Sequence, residues 1–465
     1  MFDIIRKHWL FLMPLLVFAT YYLPQNVIGF ARYPLEPVMT LFIALLTSAL
    51  SFILAYRWLP VAWADRLAAA LNLPRRPDLI MAFIVVLYVL TLWAVCSAAE
   101  RVPLLAALQG ASAEQLAHYR NTFMRGQTGN AGLVNYSFAI LSQALMPLLI
   151  AHAWWHGKRW RYLVLVLFIL GTSLSLSKAA LLCVCVPLMA VWLMRGKWMN
   201  LATTALFFVL SVAMMYVLAS GRIATFYPVE APANTPMALM PVAALEVNYP
   251  VPMFPTNAAS QPLHHWFSVM LVQQQKQKQV VVEPPAMLSD VPEQYSVFGR
   301  DSQLALIANR ILWIPYITAV DWFRYQQERL HGDYVLGRSI RPLAWALGLK
   351  HIHLEREVAA LQWGGAGGST SNAVFFADAW LNWGVFGVVL YSMLLALTIK
   401  LISTSGNPPL VAASAFPVWI ACFAALPPVY LSGGLGFLLV FALLARRPVD
   451  TGAEGRLPGK RIKAA

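Results

Sequence analysis

The chain is 465 residues long, 59% hydrophobic and only 12% charged, against about 25% charged residues in an ordinary soluble domain. Its mean hydropathy of +0.62 and its recurring apolar runs, each able as a helix to cross about 30 Å of hydrocarbon, exclude a soluble enzyme and predict an all-α polytopic membrane protein. A formal charge of +14 would point to nucleic acid in a soluble chain; here the basic residues mark topology, and no nucleic-acid partner is expected.

The first run begins after Arg6, Lys7 and His8 and continues to about Phe30. It is too long for a signal-peptide core and has no small-residue cleavage site, so it reads as a retained span. Ten spans are expected, at 9–30, 38–56, 79–98, 132–154, 161–176, 178–194, 199–219, 374–400, 409–426 and 429–445, which puts both termini on one side. The fifth and sixth are nearly continuous and would equally make one long helix, but basic residues at both ends, Lys158-Arg159 and Arg195 with Lys197, favour a hairpin. With a cytoplasmic N-terminus, the inner segments 1–8, 57–78, 155–161, 195–198, 400–408 and 446–465 hold 18 of the 34 Lys and Arg and 5 of the 20 Asp and Glu. The rest of the chain holds the other 16 and 15, so the positive-inside rule sets both termini in the cytoplasm.

The chain therefore divides into the first seven transmembrane helices (1–220), one large periplasmic loop (221–372), the last three transmembrane helices (373–445) and a basic cytoplasmic tail (446–465). A loop of that length is a functional unit rather than a connection. Its first part, 226–299, holds eleven of the thirty prolines and one hairpin-like pair of runs, 265–272 and 279–283. The part from 302 to 360 reads as helices. Within it, 304–320 is nearly apolar enough to span, but Asn309, Arg310 and Pro315 interrupt it, so an amphipathic or re-entrant helix at the outer interface is expected. The four cysteines, Cys96, Cys183, Cys185 and Cys422, all fall in apolar runs without ligand spacing, which predicts neither disulfides nor a thiolate metal site.

Several clusters carry chemistry. Lys178 closes Gly171-Thr-Ser-Leu-Ser-Leu-Ser-Lys178 where two spans meet; a lysine there is costly unless paired or hydrated, although it could snorkel to the interface. Arg120 and Arg125 precede the fourth span at a spacing that could clamp a phosphate, because the planar guanidinium matches its oxygens; alone they read equally as solvated loop residues. Asn309, Arg310, Trp313, Asp321, Trp322 and Arg324 mix rings with guanidiniums, which suits a ligand with an anionic head and sugar rings and also fits an aromatic belt. His331, Asp333, Arg338 and Arg341 lie within eleven residues, with His331 a candidate general base. His351 and His353 would need a third ligand to hold a metal, and none is expected. The glycine-rich run from Gly364 to Asn372 leads into the eighth span and could cradle an anion at its N-terminus, or serve as a linker. Asp378, one turn inside that span, is a buried polar contact or part of the site.

These residues resemble the Wzy-type oligosaccharide repeat-unit polymerases of bacterial envelope polysaccharide pathways. The resemblance rests on Ser175-Leu-Ser-Lys178, on Arg310-Ile-Leu-Trp-Ile-Pro315 with Trp322-Phe-Arg-Tyr325, and on Ser371-Asn-Ala-Val-Phe-Phe-Ala-Asp378-Ala-Trp-Leu-Asn382-Trp-Gly384-Val-Phe-Gly387, and covers about 160 to 395. It implies a glycosyltransferase of the GT-C type in the bacterial inner membrane. Such an enzyme moves a growing glycan from undecaprenyl diphosphate to another lipid-linked repeat unit on the periplasmic face, inverting the anomeric centre, with no metal or other cofactor. The partners implied are the lipid-linked donor and acceptor, membrane lipids and a chain-length regulator. Carried onto this chain, Lys178, Arg120, Arg125 and Arg310 would hold the diphosphate, Arg324, Arg338, Arg341 and Asn372 would contact diphosphate or glycan, and His331, then Asp378, would be the base. Two departures stand out: Lys178 replaces the family's arginine and offers no bidentate fork, and the proline-rich insertion is foreign to a typical member. An O-antigen-ligase-like transferase and a transporter or flippase of lipid-linked oligosaccharide are the alternatives.

Overall fold

A computed structural model of the chain describes residues 2–71, 77–125, 130–176, 181–219, 295–299, 303–363, 371 and 373–446. The described residues are helical, with no strand among them. Among the described residues, six helices are long and apolar enough to cross a membrane: His8–Arg32, Leu35–Trp58, Asp78–Ala98, Gly132–Trp155, Trp198–Met215 and Phe375–Ser403. Shorter apolar helices, Arg161–Ser173, Leu182–Arg195, Pro408–Ala421 and Leu435–Ala445, fall where the other four spans were expected. Large apolar side chains such as Phe83, Trp93, Leu163 and Leu210 point outward, as on a surface solvated by acyl chains, against which helices with internally satisfied backbones are stable. The chain is thus built as a polytopic membrane protein. The proline-rich stretch up to 294, with the runs 265–272 and 279–283, lies outside the described residues, as does the tail from 447.

Among the described residues, three helices contain a single widened π-turn, at Phe18–Tyr22, Leu141–Leu145 and Asn309–Trp313. Each is followed at the second position by a proline: Pro24, Pro147 and Pro315. Proline lacks an N–H, and its ring collides with the carbonyl four residues back. An extra residue in that turn moves the carbonyl aside without ending the helix.

The core is organised around helix Leu35–Trp58 lying along Phe375–Ser403. Ala44, Ser48, Phe52 and Ala55 of the first are buried with Val388, Ser392, Leu395 and Ile399 of the second. Small residues let the backbones approach, and Ser392 Oγ donates to Ser48 Oγ at 2.9 Å.

The basic segments meet at one end of this pair. Lys158 Nζ pairs with Asp78 Oδ1 at 2.8 Å, Arg195 donates to the Trp155 carbonyl, and Lys400 Nζ donates to the Leu59 carbonyl at 2.8 Å. Arg446, only 3% exposed, reaches Asp65 Oδ1 at 2.6 Å and Thr404 Oγ1 at 2.8 Å.

Toward the other end lies helix Ile314–Glu328. An amphipathic or re-entrant helix was expected here; every residue from Tyr316 to Phe323 is buried, because the helix packs against Leu35–Trp58, Phe375–Ser403 and helix Leu354–Trp363 at once. Its entry is pinned to the first span: Gln25 Nε2 donates to the Leu312 carbonyl at 2.7 Å, and Tyr316 Oη donates to Asn26 Oδ1 at 3.1 Å. Only glycine fits at position 29, since a Cβ there would overlap the Tyr316 hydroxyl.

Candidate functional site

The site begins with a break in a helix. Within Phe375–Ser403, Trp383 (φ −147°, ψ 22°) and Gly384 (φ 61°, ψ −145°) leave the helical path, a conformation open at position 384 only to glycine. The break releases two carbonyls that a continuous helix would use itself. The Leu381 carbonyl accepts from Val335 N at 2.8 Å and the Asn382 carbonyl from Leu336 N at 3.0 Å, so the loop 333–341 is hung on the kink.

Asn382, fully buried, locks that arrangement from its side chain. Its Oδ1 accepts from Gly337 N and from Ser339 Oγ, both at 3.0 Å. Its Nδ2 donates to Asp378, to the carbonyl at 2.8 Å and to Oδ1 at 3.1 Å. Asp378 is 2% exposed, and its other carboxylate oxygen, Oδ2, has no partner among the described residues.

Asp378 lines a cavity of about 510 Å³. Its lining mixes the polar Asp378, Glu355, His351, His353, Ser339 and Arg341 with apolar side chains such as Ile140, Ile352, Ala425, Pro427, Leu431 and Phe437. Glu355 and Asp378 are close enough for their charges to interact. His351 Nδ1 lies 2.8 Å from the Arg338 carbonyl; a carbonyl only accepts, so Nδ1 is the donor of that bond. The pKa of His353 is held below the ordinary histidine value, by burial first and then by His351, Arg356 and Arg341 nearby. The buried Trp322 also lines the cavity; its Nε1 donates to Ser371 Oγ at 3.2 Å, and Ser371 N donates to the Glu355 carbonyl at 2.8 Å.

Behind Trp322, Asp321 is 3% exposed. Its Oδ2 accepts from Tyr295 Oη at 2.6 Å and Gln362 Nε2 at 3.0 Å. Burial pushes its pKa up to about 6, against the opposing pull of those two donors and of Arg324.

A second cluster is cationic. Arg120, on helix Ala113–Arg125, is half-buried, and its pKa is lowered by burial first and by the neighbouring Arg310 second. Arg310 is exposed on the π-turn Asn309–Trp313. Neither pairs with a carboxylate among the described residues, and two adjacent unneutralised guanidiniums form an anion-attracting surface.

The remaining expected residues are dispersed. Arg341 joins Asp378 in the cavity. Arg338 Nε donates to the Val335 carbonyl at 3.1 Å, and Arg324 pairs with Glu328 at 2.6 Å; neither lines the cavity. His331 is exposed with a left-handed φ of 52° in the turn after helix Ile314–Glu328, also outside the cavity lining. Lys178 and Asn372 lie outside the described residues, as does the side chain of Arg125. No group of three His, Cys, Asp or Glu suited to a metal occurs among the described residues.

Sequence reasoning missed Glu355 and the supporting roles of Asn382 and Ser339. The i, i+4 spacing of Asp378 and Asn382 places them on one helix face and was the available signal; Glu355 is one of two acids in the first turn of its helix and gave none. Compared with protein-family models, curated proteins and solved structures, the chain matches none.

Proposed function

We propose that this chain is a glycosyltransferase of the bacterial inner membrane that polymerises lipid-linked oligosaccharide repeat units. The observation that carries the reading is buried Asp378, with Oδ2 unpartnered among the described residues, lining a cavity of mixed polar and apolar side chains, which suits a sugar hydroxyl to be deprotonated beside a polyprenyl chain. The basic end of the bundle faces the cytoplasm by the positive-inside rule, and the cavity, at the opposite end of Phe375–Ser403, faces the periplasm.

The acceptor hydroxyl oxygen attacks the anomeric carbon of the donor, and its proton passes to Asp378. The bond from that carbon to the carrier diphosphate breaks, and the diphosphate leaves with the electron pair. Arg120 and Arg310, with Lys178 and Arg125, take up the developing negative charge electrostatically. Attack in line with the leaving group inverts the anomeric centre, and no metal is required. Asp378 takes precedence over His331 as base, since His331 does not line the cavity.

The test is reconstituted protein with synthetic undecaprenyl-diphosphate-linked repeat unit in EDTA, with products read as a ladder on a gel. A ladder lost on Asp378→Asn and on Arg310→Ala is the expected result. Transfer of a single glycan to lipid A–core without a ladder would establish the ligase reading, and movement of the glycolipid between leaflets without transfer the transporter reading.

A further inference from the structure

Arg310 is exposed on a turn that is held on both sides of it. One residue earlier, Asn309 is 3% exposed and uses both ends of its amide: Oδ1 accepts from Phe298 N at 3.0 Å and Nδ2 donates to the Gly299 carbonyl at 2.8 Å. Two residues later, the Leu312 carbonyl accepts from Gln25 Nε2 of the first span at 2.7 Å. The π-turn Asn309–Trp313 adds one residue to its helix, which rotates the chain before it by about 100° relative to the chain after it. The direction in which Arg310 projects is therefore a property of that turn, and the two amides fix the turn.

Arg120 is fixed by different means. Its helix, Ala113–Arg125, opens with a capping box in which Gln115 N donates to Ser112 Oγ at 3.3 Å and Ser112 N donates to Gln115 Oε1 at 3.0 Å. Leu116 and Phe123, both 1% exposed, stand one turn to either side of Arg120 on the same helix face. The half-buried guanidinium is near enough to Arg310 for the two charges to interact. Like charges would drift apart if either carrier were free to turn. An amide holds the turn without bringing a negative charge that would neutralise the pair. Both ends of the Asn309 amide are bonded and Gln25 is 9% exposed, so the two act through Arg310 rather than on a ligand.

We infer that Gln25 and Asn309 are positioning residues of the Arg120–Arg310 anion surface, holding Arg310 beside Arg120 before the anion arrives. The inference deepens the transferase reading and rests on it for one point, that the anion is the carrier diphosphate. A turn released from either amide presents the assembled pair only part of the time, and apparent affinity falls with that fraction.

Calorimetric titration of inorganic pyrophosphate into the full chain in phosphatidylcholine nanodiscs, with EDTA present, tests this without requiring turnover. The unaltered chain should bind, and Arg310→Ala should bind roughly tenfold more weakly or worse, as loss of a charged hydrogen-bond donor predicts. Gln25→Met, which keeps length while removing the donor, and Asn309→Ala should each weaken binding several-fold. Neither should weaken it further when combined with Arg310→Ala. Tyr316→Phe is the control: it removes the bond to Asn26 Oδ1 between the same two segments and leaves the bonds of the turn in place, so it should lower Tm and leave affinity unchanged. Unchanged affinity in both Gln25→Met and Asn309→Ala would overturn the inference, as would an equal loss in Tyr316→Phe or a loss that persists in full without Arg310. Absence of binding by the unaltered chain would overturn it together with the anion surface. A ladder in the polymerisation assay beside any of these failures leaves the transferase reading standing; the expected binding pattern without a ladder or single transfer removes the transferase reading and keeps the positioned anion surface.

Discussion

The side-chain amide of Asn382 bonds Asp378 twice, at its carbonyl (2.8 Å) and at Oδ1 (3.1 Å), which leaves Oδ2, buried, as the carboxylate oxygen without a partner among the described residues. One oxygen is used to orient the group and the other is kept for chemistry. Asp378→Asn should therefore lower polymerisation by at least about 100-fold, the scale of a lost general base, with little change in folding. Asn382→Ala should do the reverse in part: it strands Gly337 N and Ser339 Oγ and should cost about 1–3 kcal/mol of stability. Gel filtration and thermal unfolding beside the ladder assay separate the two effects.

Gly384 is needed for two independent reasons, its positive φ of 61° and a Cβ position 2.8 Å from Tyr334 Oη. Gly384→Ala should destabilise the protein by about 1–3 kcal/mol and detach the loop 333–341. Tyr334→Ala in the same chain removes the ring atoms, which lie 2.8–3.2 Å from that Cβ position, but leaves the backbone strained, so it should restore only part of the lost Tm. Full restoration would show that the backbone conformation carries no cost.

Asp321 gives a pH dependence with a definite sign. Its pKa in the folded protein is about 6, above the ordinary 3.8, so between these values the folded state holds the proton more tightly than the unfolded one. Stability therefore falls as pH rises from about 4 to about 6 and is flat above. The expected loss is up to about 3 kcal/mol, for a shift of roughly two units. Asp321→Asn keeps an acceptor for Tyr295 and Gln362 and should remove this slope. Denaturant unfolding of both proteins at pH 4.5 and 7.5 reads the difference, and parallel pH profiles would dismiss Asp321 as its source.

Arg120 and Arg310 should behave as a unit. Arg120→Ala and Arg310→Ala are each expected to reduce kcat by about 100-fold, as removal of a charge-stabilising donor does, and the double variant should be little worse than either, since groups acting together are not additive. Multiplicative losses in single-turnover rates would show two unrelated roles.

Much of the frame was legible in the sequence because it depends on local composition. Apolar runs and their basic flanks place the helices, but the widened turns at Phe18–Tyr22, Leu141–Leu145 and Asn309–Trp313 were not legible, since Pro14 and Pro187 sit inside helices as well. The burial of Tyr316 to Phe323 on every side was not legible, since it depends on three helices distant in sequence closing around one another. Asp378 was readable as a polar residue in an apolar run. Glu355 was not, because its approach to Asp378 depends on a chain of contacts through Ser371 and Trp322. Arg120 and Arg310 were read as candidates separately; only folding makes them neighbours.

The break at Trp383 and Gly384 also sets a length. From 385 to 403 the helix runs on without interruption, about 28 Å at 1.5 Å per residue, close to the hydrocarbon thickness of about 30 Å. The part after the break is thus by itself long enough to match that thickness, with Lys400 near its far end bonded to the Leu59 carbonyl. The turns before the break, which carry Asp378, are surplus to that length, and a carboxylate outside the hydrocarbon escapes the full cost of charge in lipid.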